Sequence, residues 1–138
     1  MSEPPDPRRI EFIVDEWGGA GKSTFARYCA YQFGSDRLLR LHPGRSLDLA
    51  HLLDKPYEIF IVDCPRGSQE FIPWTFLESL KDGYIVSTKY EGGFKEFKIP
   101  HVFVFCNFFV PEDKLSEDRI LERVVHKDDD DFTKIIQH

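Results

Sequence analysis

Residues 10–33 read IEFIVDEWGGAGKSTFARYCAYQF, and their order predicts how the fold begins. The apolar run Ile10–Val14 predicts a strand, and the glycine-rich segment 17–21 predicts a turn. Lys22–Phe33 predicts a helix that ends at Gly34. A strand, a glycine loop and a helix in this order let backbone N–H groups surround phosphate oxygens.

The glycine loop also carries side chains suited to a bound nucleotide. Lys22 would reach the β- and γ-phosphates, and the Ser23 hydroxyl would bind Mg²⁺. Glu16 departs from the pattern G-x-x-x-x-G-K-[ST], because it stands where the first glycine belongs. The sequence therefore predicts ATP and Mg²⁺ as cofactors, with a binding loop composed of Gly18, Gly19, Ala20, Gly21, Lys22, Ser23 and Thr24.

Strands and helices are expected to alternate along the rest of the chain. The predicted strands are Leu38–Leu41, Ile59–Val62, Tyr84–Thr88 and His101–Cys106. The predicted helices are Leu47–Leu53 with Ser46 as N-cap, Pro73–Lys81, and a last helix opened by Ser116. This alternation predicts an α/β fold with a mainly parallel sheet of five strands flanked by helices.

Two polar residues follow buried strands and are candidates for catalysis. Asp63 follows the apolar run Ile59–Val62, the position of an aspartate that holds Mg²⁺ through water. Cys64 comes next instead of a second acid, which leaves Glu70 as a possible substitute base. Asn107 follows the last apolar strand and would sense the γ-phosphate and orient water; the alternative is an asparagine that only caps the strand.

An arginine near the predicted last helix has two interpretations. Arg119 could be an arginine finger for a neighbouring subunit's ATP, with Arg123 as the second choice. Alternatively, Arg119 only pairs with nearby acids.

The segment from Lys89 to Lys98 combines lysines, aromatic residues and a glycine bend. Lysines can hold phosphates and aromatic rings can stack on bases, so Lys89, Tyr90, Lys95 and Lys98 are candidate contacts to single-stranded DNA. The alternative is a solvated hairpin.

Composition limits the remaining possibilities. The chain has 138 residues, 41% hydrophobic and 30% charged, which fits one globular domain and excludes collagen-like and low-complexity proteins. A net charge of -6 argues against extensive non-specific coating of nucleic acid. The three cysteines lie among apolar residues and are expected to be buried free thiols.

Five stretches together resemble the superfamily 3 helicase (ATPase) domain of replication-associated proteins from small circular single-stranded-DNA viruses, of the nanovirus and alphasatellite type. They are GGAGKSTFARY (18–28), PGRSLDL (43–49), IFIVDCPRG (59–67), FLESLKDGYIVSTKYEGG (76–93) and HVFVFCNFFVPEDKLSEDRI (101–120). The resemblance implies an AAA+-like P-loop domain over residues 10–125, preceded by a leader or linker at 1–9 and followed by an acidic tail at 126–138.

The same resemblance implies a function in rolling-circle replication. Six subunits would form a ring around single-stranded DNA, in the host nucleus, with ATP between neighbouring subunits. Lys22, Ser23, Asp63, Asn107 and Arg119 would take the loop, metal, sensor and finger roles. The family also has an N-terminal nicking endonuclease and ring-forming helices that lie partly upstream. We therefore expect an excised domain, the alternative being a gene that lost its nuclease. Whether the chain forms a ring or stays monomeric is left open.

Two alternatives remain at this point. The stretch Val62–Gln69 resembles part of the nucleoside monophosphate kinases, although Ser23-Thr24-Phe25 does not fit their loop. A nucleotide-binding remnant without turnover is the other, because of Glu16 and the single acid at Asp63.

Overall fold

The computed structural model describes residues 4–15, 22–53, 55–87 and 89–125. Ten regular elements lie in these ranges: strands Ile10–Val14 (β1), Leu38–Leu41 (β2), Ile59–Asp63 (β3), Tyr84–Val86 (β4), Phe94–Glu96 (β5), His101–Cys106 (β6) and Ile120–Val124 (β7), and helices Lys22–Phe33 (α1), Ser46–Ala50 (α2) and Trp74–Asp82 (α3). Five strands form one parallel sheet in the order β2-β3-β6-β1-β7, and β4 pairs antiparallel with β5. The predicted α/β fold with a five-stranded parallel sheet is confirmed.

The three central strands are buried because helices cover both faces of the sheet. Side chains on one face pack against α1, and those on the other pack beneath α2 and α3. Strands buried on both faces need nearly continuous apolar sequence, as β3 and β6 show. The first face contains Ile13, Ile61, Phe103 and Phe105, and the second contains Phe12, Val62, Val102 and Val104.

The fifth strand of the sheet is not the one that the sequence predicts. Tyr84–Thr88 is not part of the sheet, since Tyr84–Val86 forms a short antiparallel ribbon with Phe94–Glu96. The helix expected after Ser116 is wrong as well, because a single 3₁₀ turn at Glu117–Arg119 leads into β7. β7 lies at the sheet edge beside β1, where solvent tolerates polar side chains, and this polarity made its sequence look helical.

The role of Ser46 also differs from the prediction that it is the N-cap of α2. It lies inside α2, which ends at Ala50 and is shorter than expected. Its hydroxyl instead accepts a hydrogen bond from the N–H of Phe76 at 3.1 Å, in the first turn of α3. The N-cap of α3 is Pro73, which offers no side-chain acceptor, so Ser46 supplies that cap from another part of the chain.

Residues 4–9, interpreted above as a leader or linker, contact the body of the domain. The buried ammonium of Lys81 donates to the carbonyls of Asp6 at 2.8 Å and Pro100 at 2.7 Å. Arg8 forms an ion pair with Asp118. These contacts join the segment to α3 and to the 3₁₀ turn that precedes β7, and Lys81 links it further to the residue just before β6. Residues 126–138, the predicted acidic tail, lie outside the described residues.

The three cysteines are free and buried, as expected. Burial raises the pKa of Cys29 to about 12. Among the helices of the described ranges, none has the length and apolar character to cross a membrane.

Candidate functional site

Three neighbouring strands end together at the carboxyl edge of the sheet. The register pairs Asp63 at the end of β3 with Phe105 of β6, and Val14 at the end of β1 with Cys106. Asn107 follows directly. Neighbouring strands lie about 4.8 Å apart. Asp63, Asn107 and the chain leaving β1 are therefore brought to one edge, as expected for residues that act on one ligand.

The predicted phosphate loop starts at this edge. The N–H of Asp15 extends the ladder by donating to the carbonyl of Cys106 at 2.9 Å. α1 must run back to the amino edge to connect with β2, so its first turn lies near the carboxyl edge. Thr24 in that turn is exposed. The loop residues Gly18, Gly19, Ala20 and Gly21, and the side chains of Lys22 and Ser23, lie outside the described residues.

Asp63 has a partner that sequence reasoning missed. Nη2 of Arg40, on the adjacent strand β2, donates to Oδ2 of Asp63 at 2.6 Å. The carbonyl of Asp63 also lies 3.4 Å from Nδ1 of His42. One signal was available in the sequence, because an arginine within the apolar strand LLRL is unusual unless it is paired.

Two polar atoms at this edge have no hydrogen-bond partner within the described ranges. They are Oδ1 of Asn107 and Nε of Arg40, and both are buried. Buried polar atoms are nearly always satisfied, so an orphaned pair indicates a place for a further polar group. The carboxylate of Asp63 is an oxygen ligand of the kind that Mg²⁺ prefers, so this residue fits that cation, and the amide oxygen of Asn107 can accept a hydrogen bond from a water molecule.

Arg119 is not brought to the carboxyl edge. It precedes β7, whose first residue pairs with Ile10 at the start of β1, so Arg119 lies at the amino edge. Its side chain is 9% exposed, and Nη2 donates to Oδ1 of Asp82 at 2.6 Å. The alternative that Arg119 pairs with an acid is what the structure shows, and the finger role remains a prediction that requires this pair to open.

Two further residues are the second choices for the finger and for the base. Arg123 pairs with Glu11 of β1 at 3.3 Å. Glu70 is exposed in a 3₁₀ turn and lines a groove of about 470 Å³ between residues 43–46 and 70–75.

The predicted DNA-contacting residues divide into two groups. The ammonium of Lys89 donates to the carbonyls of His51 at 3.0 Å and Leu53 at 2.9 Å, and the Tyr90 hydroxyl donates to Leu53 at 2.7 Å. These two side chains fasten the β4–β5 ribbon to the end of α2. Lys98 is exposed, and Lys95 is partly exposed with its ammonium 5.6 Å from the centre of the Tyr90 ring.

The outer face of the same ribbon carries an exposed apolar patch. Tyr84, Val86 and Phe94 are 39%, 59% and 46% exposed, and the rings of Tyr84 and Phe94 stack with centroids 5.3 Å apart. Stacked exposed rings at a charged ribbon suit flat ligands such as bases.

Comparison with known proteins gives a consistent set of relatives. Para-Rep C3 of Milk vetch dwarf C3 alphasatellite is 36% identical over 129 residues, 91% of this chain and 44% of that protein. Para-Rep C6 of Subterranean clover stunt C6 alphasatellite is 37% identical over 123 residues, 87% of this chain and 42% of that protein. The master replication protein of Banana bunchy top virus is 37% identical over 118 residues, 84% of this chain and 39% of that protein.

No protein-family model matches the chain. The chain spans about two fifths of the length of the relatives that it matches. The matches nevertheless extend over most of this chain, and the matched proteins are Para-Rep and master replication proteins. The chain is therefore a homologue of the master replication proteins of nanoviruses and of the Para-Rep proteins of alphasatellites.

Proposed function

We propose that this chain binds and hydrolyses ATP at the carboxyl edge of its sheet and uses the energy to move single-stranded DNA during viral replication. The observation that carries the proposal is the common end of β1, β6 and β3. That register brings Asp63 and Asn107 beside the strand that leads into GGAGKST. The strand carrying Asp63 lies two places from β1, with the strand carrying Asn107 between them.

Each residue at this edge has a defined part in the proposal. Lys22 and the backbone of Gly18–Gly21 would bind the phosphates, and Ser23 and Asp63 would hold Mg²⁺. When bound, the Mg²⁺ nucleotide supplies the phosphoanhydride bond and a cation that offsets charge on the phosphates. Oδ1 of Asn107, which has no hydrogen-bond partner among the described residues, would accept a hydrogen bond from the attacking water and orient it.

The DNA part of the proposal rests on the relatives and on the ribbon. Proteins named as master replication proteins match the chain, which supports a part in DNA replication. Lys95 and Lys98 would contact the phosphates, and Tyr84 and Phe94 would stack on bases. Lys89 and Tyr90 support this surface by holding the ribbon.

Assembly into a ring of six around the strand, acting in the host nucleus, completes the proposal. In the described conformation Arg119 is held by Asp82 of its own chain, so a finger role would need a rearrangement at the subunit interface.

The test is steady-state ATP hydrolysis measured against protein concentration, with and without single-stranded DNA. We expect the rate per subunit to rise with both, and Lys22→Ala to abolish it. Lys95→Ala with Lys98→Ala should remove the stimulation by DNA and keep the basal rate. Glu112→Ala, a change of an exposed charged residue outside the ribbon sequence, serves as the control.

The other results identify the alternatives. Phosphoryl transfer from ATP to a nucleoside monophosphate without stimulation by DNA would indicate the kinase. Nucleotide binding without hydrolysis at any protein concentration would indicate the remnant. Either result contradicts the proposal.

A further inference from the structure

Arg40 and Asp63 form an ion pair at the centre of the candidate site. Arg40 is in register with Ile61, so its side chain reaches toward the carboxyl edge to meet Asp63. The two side chains are 32% and 17% exposed, which leaves the pair partly shielded from water. A guanidinium cannot lose its proton at any ordinary pH, so the positive charge beside Asp63 is permanent.

A second arginine–carboxylate pair joins the same two strands at the opposite edge. Arg37 donates to Oε2 of Glu58 through Nε at 3.0 Å and Nη2 at 2.8 Å, with side chains 49% and 58% exposed. Arg40 engages Asp63 through Nη2, and its buried Nε has no partner in the described ranges. Arg37 therefore places two donors on its carboxylate, whereas Arg40 places one and has a buried Nε without a partner in the described ranges.

We propose that Arg40 is a positioning residue that competes with Mg²⁺ for Asp63 and thereby sets the Mg²⁺ concentration at which nucleotide binds. This inference rests on the proposed function, in which Asp63 holds Mg²⁺. The guanidinium and the cation compete for the negative charge of the same carboxylate, and release of Oδ2 by Arg40 frees that oxygen for the metal. The incomplete bonding of Arg40 favours such a release.

The experiment measures binding of a fluorescent ATP analogue while free Mg²⁺ is varied, and nucleotide binding in EDTA is the reference. Removing the competing cation with Arg40→Gln should lower the half-saturating Mg²⁺ concentration roughly tenfold, since one charge-assisted hydrogen bond no longer has to break. Affinity in EDTA should change little. Arg37→Gln, the matched control at the other edge, should leave the Mg²⁺ dependence as in the wild type.

Arg40→Lys covers the case in which the glutamine variant fails to fold. An ammonium keeps the charge but lacks the planar fork, so we expect a shift in the same direction and smaller. An unchanged or raised half-saturating Mg²⁺ concentration in the folded variant overturns the role of Arg40. Asp63→Asn separates the two levels. If this variant keeps the Mg²⁺ dependence of the wild type, the proposed function itself is contradicted. If the wild type binds no nucleotide, both proposals are overturned.

Discussion

Lys81 places a charge in one of the least accessible positions that the structure describes. The residue is 2% exposed, and burial lowers the pKa of its ammonium from 10.5 to about 8. The carbonyls of Asp6 and Pro100 accept its hydrogen bonds, which offsets part of the cost. Lys81 therefore holds the segment 4–9, and its lowered pKa makes the free energy of unfolding depend on pH in the alkaline range.

We expect the free energy of unfolding to contain a term from Lys81 that grows as pH rises from about 8 to about 10.5. The unfolded lysine binds a proton more tightly than the folded one, so the unfolded state holds more protons in this window. The term is absent at pH 7 and reaches about 3 kcal/mol above the window.

Urea unfolding of the wild type and Lys81→Met at pH 7, 8, 9 and 10 measures this term as the change in their difference. The subtraction is needed because the pKa of Cys29, raised by burial to about 12, makes the fold less stable above pH 9 in both proteins. A difference that stays constant from pH 7 to pH 10 would show that the pKa of Lys81 is not lowered in the fold.

Among single residues, the sequence predicts those whose position in the fold follows from the pattern of apolar strands. Asp63 and Asn107 were identifiable because each follows an apolar strand, and the carboxyl ends of parallel strands meet at one edge. Lys81 and the capping part of Ser46 were not, since each depends on a partner distant in the chain, Asp6 and Phe76. For Arg40 the strand LLRL indicates that a partner is needed, but not that the partner is Asp63.

Among the elements, α3 and the β4–β5 ribbon depend on one glycine. Gly83 ends α3 with φ of +70°, and its N–H donates to the carbonyl of Leu80. A Cβ at Gly83 would lie 2.7 Å from the carbonyl oxygen of Phe97, whose N–H donates to the carbonyl of Gly83. The helix end and the ribbon therefore approach too closely for any side chain.

Gly83→Ala should cost more stability than the same change at Gly34. Gly34 ends α1 with φ of +77° and has nothing within 4 Å of an added Cβ, so it reports the left-handed backbone alone, about 1 kcal/mol. Gly83→Ala adds a backbone collision and should lower the free energy of unfolding by about 2–4 kcal/mol. Equal losses for the two variants in urea unfolding would refute the close approach.

The elements also show where sequence patterns fail. Tyr84–Val86 alternates exposed and buried residues, which is typical of an antiparallel ribbon, whereas β3 is continuously apolar. Ile120–Val124 has too few apolar residues to be distinguished from a helix start, and its strand conformation comes from pairing with β1. Short edge elements are decided by tertiary pairing, which a single sequence does not display.

For the whole molecule, the two edges of the sheet carry different kinds of ion pair. The carboxyl edge has the incompletely satisfied pair of Arg40 and Asp63. At the amino edge, Arg119 joins the end of α3 through Asp82, and Arg8 lowers the pKa of Asp118 to about 2. We therefore expect residues at the carboxyl edge to determine nucleotide binding and residues at the amino edge to determine the free energy of unfolding.

Two equivalent substitutions test the division, because Asp63 and Asp82 each accept an arginine Nη2 at 2.6 Å. Asp82→Asn leaves the nearly buried guanidinium of Arg119 with a neutral acceptor, so the free energy of unfolding should fall by about 1–2 kcal/mol. Mg²⁺-dependent nucleotide binding by the folded protein should be unchanged.

Asp63→Asn should remove the Mg²⁺-dependent part of nucleotide binding with a smaller loss of stability, since the Arg40 pair is incompletely satisfied to begin with. Urea unfolding and nucleotide titration measure both properties on each variant. If Asp82→Asn instead abolished ATP hydrolysis while the free energy of unfolding stayed at the wild-type value, the amino edge would have a catalytic part, and Arg119 would have to be reconsidered as a finger.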